Sequence, residues 1–170
     1  MSDYLQDLDE VRAVIQLYID GANGDVAKLK QAFHPDARMM GHIGPMNTYV
    51  PITGFFEMVE AKPGMAGPNY KATVRSIDLT GDAGVAVLVE KDYLGCDFVD
   101  YFSVARIDGR WQITNKTYAH TGGQPPSQRN TDHCIATQDC ARSILAAGRE
   151  RAGSANGAYQ DGKSSLVRAS

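Results

Sequence analysis

The sequence has few cysteines and no surplus of positive charge. Cys96, Cys134 and Cys140 form an odd set without a Cys-x-x-Cys pair, which argues against both a disulfide framework and a structural zinc site. The 17 Lys and Arg residues are outnumbered by 20 Asp and Glu, and the formal net charge is -3. Because nucleic acid and anionic membranes are bound by concentrated positive charge, neither is expected as a partner.

Long apolar runs and nucleotide-binding or hydrolase motifs are also missing. No apolar run approaches the length of a membrane span, and the first residues, Met-Ser-Asp-Tyr, are polar and acidic, unlike a secretion signal. A cytoplasmic location is therefore expected. The chain contains no GxSxG, P-loop, GxGxxG or HExxH pattern. We therefore predict neither a metal ion nor a cofactor.

What is present is a globular composition, with 43% hydrophobic residues in 170, and a clear change of period along the chain. Apolar residues at three- and four-residue steps predict a first helix that ends near residues 21–24. A second short helix follows Asp25, carries Phe33 and stops before Pro35, and a third covers residues 52–61. Residues 37–50 are apolar but interrupted by glycine and proline, which indicates a short strand followed by a loop.

From residue 70 the period becomes two, and turn signals divide the sequence into four strands, of which Asp108-Gly109 marks the clearest turn. The predicted strands cover residues 70–80, 84–93, 97–107 and 110–120. Helices followed by an antiparallel meander predict an α+β domain in which the helices pack on a strongly curved sheet. We place this domain at residues 1–120 and expect residues 121–170 to form a C-terminal extension, partly helical or flexible.

Several motifs occur in an order that resembles a known superfamily. They are Tyr18-Ile-Asp-Gly, Ala32-Phe-His-Pro-Asp-Ala and Asp108-Gly-Arg-Trp-Gln-Ile. Over about residues 4–120 the chain is similar to nuclear-transport-factor-2-like proteins, within the branch named putative lumazine-binding, or SnoaL-like (polyketide-cyclase-like). The resemblance implies a cone-shaped half-barrel with a small-molecule pocket. The superfamily contains isomerases, dehydratases, cyclases, hydrolases and non-catalytic binding proteins, so it leaves the activity open.

Three side chains are the candidates for catalysis. His42 lies between small residues on the first predicted strand and has a side chain suited to proton transfer near neutral pH. Asp100 lies among apolar neighbours on the third strand of the meander, where a carboxyl must be paired or shift its pKa upward. It can pair with Lys116 or Tyr118 on the next strand, or lie at an exposed strand end. Tyr118 can donate a hydrogen bond to a substrate carbonyl if it points inward.

Apolar and aromatic residues around these three are candidates for ligand binding, although they can equally be ordinary core residues. They are Tyr18, Met39, Met46, Tyr49, Phe55, Phe56 and Tyr101. The favoured hypothesis is a cofactor-free acid-base enzyme acting on an apolar carbonyl compound. The alternatives are a non-catalytic protein that binds a heteroaromatic ligand, and an interaction module. A homodimer through the sheet fits all three, because apolar residues on both faces of long strands need cover.

Overall fold

Three helices and six strands make up the part of the chain that the computed structural model describes, residues 3–124. In chain order the elements are α1 (Tyr4–Ala22), α2 (Val26–Ala32), β1 (Phe33–Ile43), β2 (Met46–Pro51), α3 (Ile52–Ala61), β3 (Ala66–Thr80), β4 (Ala83–Tyr93), β5 (Cys96–Ile107) and β6 (Arg110–Gly123). From residue 125 onward, the extension predicted for residues 121–170 lies outside the described residues. Cys134 and Cys140 lie outside them as well. The boundary at residue 120 stays a prediction.

The helices begin where their sequences indicate, and α2 ends earlier than predicted. The Asp3 carboxylate accepts a hydrogen bond from the Leu5 backbone N–H at 3.0 Å and caps α1, and Asp25 caps α2 in the same way. The prediction that Phe33 belongs to the second helix is wrong, because the backbone of Phe33 is extended and begins β1. Pro35 explains the early end, since proline disfavours helical geometry in the residue before it.

The strands form one curved, unclosed sheet in the order β2-β1-β6-β5-β4-β3. The antiparallel meander of β3 to β6 is confirmed, and its last turn has positive φ at Asp108 and Gly109. Residues 37–50 differ from the prediction, because they form a β1–β2 hairpin around Gly44 and Pro45. β1 then pairs parallel with β6, which places the β1–β2 hairpin beside the last strand of the meander.

Buried side chains of all three helices and of the sheet form a single hydrophobic cluster. On β5 buried positions alternate with more exposed ones from residue 96 to residue 104, as expected for a sheet with one covered face. The α+β arrangement is therefore as predicted. Among residues 3–124, no helix has both the length and the hydropathy needed to cross a bilayer.

Candidate active site

Three ionisable side chains lie on the covered face of the sheet, where most residues are apolar. Glu90 on β4 and Asp100 on β5 are 0% exposed, and Lys116 on β6 is 5% exposed. The strand register brings them together, since Asp100 pairs with Tyr118 and its neighbour Phe102 pairs with Lys116. Burying a charge costs several kcal/mol unless it is paired, so the three side chains form a linked group. We call Glu90, Asp100, Lys116 and the hydroxyl of Tyr18 the polar cluster.

Tyr18 joins the polar cluster from the opposite side, because α1 directs its ring into the core. Its hydroxyl lies 2.8 Å from Asp100 Oδ2 and 3.2 Å from Glu90 Oε2. It also accepts a hydrogen bond of 2.5 Å from Lys116 Nζ. Burial, together with the charges of the two carboxyls, raises the pKa of Tyr18 well above its usual value. The hydroxyl therefore stays protonated and acts as a donor.

Lys116 and Asp100 form the ion pair of the cluster, with Nζ 2.7 Å from Oδ2. Four aromatic rings surround the ammonium, with Nζ 4.7 Å from the ring centroid of Tyr18, 5.4 Å from that of Phe55, 5.5 Å from that of Tyr118 and 5.9 Å from that of Phe102. Such contacts stabilise a desolvated cation by about 2 kcal/mol. The sequence analysis named this pairing as one of its alternatives for Asp100.

Glu90 is the carboxyl of the cluster that holds a proton at neutral pH. Burial first, and then the charge of Asp100, raise its pKa from 4.5 to about 8, although Lys116 opposes the shift. The hydroxyl of Tyr70, a half-buried residue on β3, donates a hydrogen bond of 2.6 Å to Glu90 Oε1. A protonated carboxyl therefore lies beside the carboxyl that pairs with Lys116, and enzymes use such a difference between two carboxyls to separate the roles of acid and base.

One oxygen of the cluster has no N–H or hydroxyl donor. That atom is the buried Asp100 Oδ1, while Oδ2 of the same carboxyl contacts both Tyr18 and Lys116. The carboxyls of Glu90 and Asp100 also hydrogen-bond each other, which contributes to the raised pKa of Glu90. An unsatisfied buried acceptor costs about 1–3 kcal/mol. Such an atom calls for an explanation, and a bound hydroxyl or acidic C–H group of a ligand would supply one.

Asp100, Tyr118 and Tyr18 lie where the sequence analysis expected a pocket. The side chain of Tyr118 is 8% exposed, and its hydroxyl donates to Thr48 Oγ1 on β2 at 2.7 Å. Burial raises the pKa of Tyr118, so this hydroxyl also remains a donor. Two of these side chains thus belong to the polar cluster, and the third lies beside it, with its ring centroid 5.5 Å from Lys116 Nζ.

Four other predicted residues lie elsewhere. His42 is exposed and has the opposite parity on β1 to the buried Met39, so it cannot share a substrate with Asp100. Tyr101 is 45% exposed on the outer face of β5, since it is the neighbour of inward-facing Asp100. Met46 and Tyr49 are 45% and 68% exposed on β2, which is the edge strand of the sheet. We do not propose these four as site residues.

The remaining three predicted ligand-binding residues are buried. Met39, Phe55 and Phe56 belong to the hydrophobic core, and of these Phe55 approaches the polar cluster, with its ring 6.2 Å from that of Tyr18. Phe55 therefore lines the cluster directly. The other two stabilise the fold around it.

Glu90 was missed by the sequence analysis, and Lys116 was considered only as a partner for Asp100. A signal for Glu90 exists, because residues 86, 88 and 90 share a face and Glu90 ends an apolar alternation, as Asp100 does on β5. An ionisable residue that shares the alternation of buried apolar residues along a strand therefore indicates a buried ionisable group, even when it lies near the end of the strand.

A groove of about 330 Å³ lies elsewhere on the surface, between α1, α2 and the β5–β6 turn. Trp111, Glu10 and Arg110 are among its lining residues, and no member of the polar cluster contributes to it. No group of three or more His, Cys, Asp or Glu side chains within residues 3–124 is arranged to hold a metal ion. The buried charges make the polar cluster the stronger candidate site, because desolvated titratable groups are typical of catalytic sites.

Comparison with solved structures supports the fold. An NTF2-like protein of unknown function from Shewanella baltica OS155 is 25% identical and has a TM-score of 0.65, with 72% of this chain and 100% of that chain covered. A ketosteroid isomerase-like protein from Erwinia carotovora atroseptica SCRI1043 is 12% identical and has a TM-score of 0.53, over 68% of this chain and 97% of that chain. The second likeness concerns the fold alone.

Comparison of sequences identifies a curated relative and a family. The protein named Aldolase FrzH, from Cladobotryum sp, is 27% identical over 112 residues, which cover 65% of this chain and 88% of the relative. The family described as "Putative lumazine-binding" matches residues 6–119, which include every member of the polar cluster. Membership of this family supports a role in binding a small molecule. The chain belongs to the putative lumazine-binding family of the NTF2-like superfamily.

Proposed function

We propose that the protein is a cofactor-free enzyme that moves a proton at the carbon next to a carbonyl group, in an aldol-type reaction. The observation that carries this proposal is the pair of buried carboxyls, Asp100 and Glu90, which meet at one hydroxyl of Tyr18. Asp100 has an oxygen without an N–H or hydroxyl donor that can receive a proton, and Glu90 holds a proton to give. Such a pair can remove a proton from one atom of a substrate and return it to another.

The same geometry supports stabilisation of the enolate that proton removal creates. Tyr18 and Lys116 donate hydrogen bonds at neighbouring points, and both are desolvated. A substrate carbonyl oxygen that replaces the acceptor of either group would accept a hydrogen bond from that group as negative charge develops on the oxygen. The rings of Phe55 and Phe102 suit an apolar substrate skeleton.

The name of the relative agrees with this chemistry. An aldol reaction forms or breaks a carbon–carbon bond through an enolate or its equivalent, and a protein named an aldolase is 27% identical over most of the domain. That relationship supports the reaction type and does not define the substrate.

The test is hydrogen exchange at carbon, which requires no knowledge of the natural substrate. A panel of ketones and aldehydes with apolar substituents is incubated with the protein in D2O, and loss of the proton next to the carbonyl is followed by NMR. We expect exchange above background with the wild-type chain and its loss in Asp100→Asn. Asp97→Asn is the matched control, because Asp97 also pairs with a lysine at 2.7 Å but is more exposed. Equal exchange in all three proteins, or in none, would refute the proposal.

A second candidate is a non-catalytic carrier of a heteroaromatic ligand, which the family description favours. Here the polar cluster would hydrogen-bond the ring heteroatoms of the ligand. Titration with lumazine, followed by its fluorescence, tests this function directly. Saturable binding without carbon exchange would favour the carrier over the enzyme.

We also propose that the protein forms a homodimer through the outer face of the sheet. Val85 on β4 and Tyr101 on the adjacent strand β5 lie on this face and are 50% and 45% exposed. The guanidinium of Arg75 lies 6.0 Å from the ring centroid of Tyr101, which extends the same surface. Large apolar side chains on an uncovered sheet face are typical of interfaces.

A further inference from the structure

Lys116 is the counter-ion of Asp100, and its surroundings differ from those of an ordinary ion pair. The matched case in this chain is Lys91, which contacts Asp97 at the same distance of 2.7 Å. The side chain of Lys91 is 55% exposed, whereas that of Lys116 is 6% exposed. Water stabilises the charge of Lys91, but that of Lys116 depends on Asp100, Tyr18 and aromatic rings.

We propose that Lys116 is a nucleophile that condenses its amine with the carbonyl group of the substrate to form a protonated imine. This inference rests on the proposed function, because it concerns the same site and a carbonyl substrate. It narrows the substrate class to aldehydes and unhindered ketones, since only these form imines with a primary amine. Desolvated lysines are the ones that enzymes use for this chemistry.

The proton balance of the step can be written with groups of the cluster. The Lys116 ammonium first gives a proton to Asp100, which turns a buried ion pair into two neutral groups and avoids two desolvated charges. The free amine then attacks the carbonyl carbon, and a proton moves from nitrogen to oxygen to give a carbinolamine. Asp100 returns its proton to the hydroxyl, which leaves as water, and a protonated imine remains.

Tyr18 lies where this step needs a hydrogen bond. Its hydroxyl is 2.5 Å from Lys116 Nζ and 2.8 Å from Asp100 Oδ2, so a carbonyl oxygen near the amine would also lie near a donor. A second observation points to a ligand, because the buried Asp100 Oδ1 lies beside the attacking amine and receives no N–H or hydroxyl donor. The protonated imine would then acidify the neighbouring C–H bond, which is the proton transfer proposed above.

The inference is tested by trapping the adduct on the wild-type chain. Pentane-2,4-dione forms a conjugated enaminone with a reactive amine, and this product absorbs in the near ultraviolet. In a parallel arm, a simple ketone is added with cyanoborohydride, which reduces an imine to a stable amine. Peptide mass spectrometry then assigns the label to individual lysines. We expect Lys116 to be labelled before Lys91, and the near-ultraviolet signal to be lost in Lys116→Arg.

The controls separate this inference from the proposed function. Lys116→Arg keeps a cation but cannot form an imine, and the comparison of Lys116 with Lys91 is made within wild-type protein, so it does not depend on the folding of a variant. Label on exposed lysines alone would overturn the inference. If carbon exchange persists in that case and still requires Asp100, the proposed acid-base function stands while the lysine mechanism fails. If the wild-type protein shows neither a label on Lys116 nor carbon exchange, both the inference and the proposed function are refuted.

Discussion

The backbone of Gly41 on β1 lies directly against the ring of Tyr118 on β6. A Cβ atom at residue 41 would come within 2.7 Å of Tyr118 Cδ1 and 2.6 Å of the Tyr118 carbonyl oxygen. The two residues are register partners in the parallel β1–β6 pair. Glycine at position 41 therefore allows the first strand to approach the wall of the candidate site.

Replacement of Gly41 by alanine is expected to destabilise the fold. The added methyl group meets backbone as well as ring atoms, so β1 must shift, and overpacking of this kind costs about 1–3 kcal/mol. Urea unfolding measures the change in the free energy of unfolding. Gly54→Ala is the control, because a Cβ on that helical residue makes only ordinary contacts with Val50 and should be neutral or stabilising. Equal effects of the two substitutions would contradict the prediction.

The stability of the protein should fall as the pH rises from about 5 to 8. In this range folded Glu90, with its pKa raised to about 8, keeps a proton that the unfolded chain loses near 4.5. The stabilising contribution is complete below pH 4.5 and is lost as the pH rises through 8, with a slope of at most about 1.4 kcal/mol per pH unit. Urea unfolding at several pH values measures it.

Glu90→Gln is expected to remove this part of the pH dependence, because an amide does not ionise and can still accept from Tyr70. The free energy of unfolding of the variant, relative to that of the wild type, should therefore be higher at pH 8 than at pH 5. Glu60→Gln on the exposed side of α3 is the matched control and should leave the slope unchanged. A wild-type slope that survives in Glu90→Gln would show that other groups cause it.

Lys116 and Asp100 should be strongly coupled in a double-mutant cycle. Lys116→Met leaves a buried carboxyl without its cation, and Asp100→Asn leaves a buried ammonium without its anion, so each single change is expected to cost about 3–5 kcal/mol. The double variant should lose much less than the sum, because neither charge remains. Urea unfolding of the four proteins gives the coupling. Additive losses would mean that the two side chains do not depend on each other.

Removal of the Tyr18 hydroxyl should weaken both stability and carbon exchange. Tyr18→Phe keeps the ring packed 4.8 Å from that of Phe102 but withdraws a hydrogen-bond partner from the buried charged groups around it. The expected cost is about 1–3 kcal/mol in unfolding free energy. Tyr4→Phe on the exposed start of α1 is the control and should behave like wild type. Full exchange activity in Tyr18→Phe would remove this residue from the proposed mechanism.

The homodimer proposal predicts that a charge on the outer face of the sheet separates the subunits. Tyr101→Lys places an ammonium in the proposed interface, where it loses water without gaining a partner. Sedimentation equilibrium should show a dimer for wild type and a weaker one for the variant. Tyr4→Lys introduces the same charge on α1 and should leave the dimer intact. A wild-type monomer at all concentrations would contradict the proposal.

Local sequence patterns were sufficient for the helices and the meander, because each depends on periodicity and turn residues that act over short distances. The third helix, residues 52–61, has the bounds that were predicted. The β1–β2 hairpin was not predicted as such, since β2 is half exposed and β1 pairs on its other side with β6, a parallel strand more than 70 residues away. Pairing over such a distance leaves no local pattern.

The candidate site was predicted only in part, for a similar reason. Asp100 and Tyr118 could be placed inside by alternation along a single strand, and Tyr18 by the stripe on its helix. His42, by contrast, was chosen for its chemistry, but its face was decided by the register of β1 with two neighbours. Residue type suggests what a side chain can do, whereas pairing decides whether it meets a substrate.

The position of Lys116 on the final strand has a consequence for synthesis of the chain. Tyr18, Glu90 and Asp100 all leave the ribosome before it, and β1 has no parallel neighbour until β6 has been made. A nascent domain that ends before residue 116 would have to enclose two acidic side chains without a cation, which burial penalises. We therefore expect the core to pack only after β6 has been synthesised, because Lys116 is needed beside the two acidic side chains.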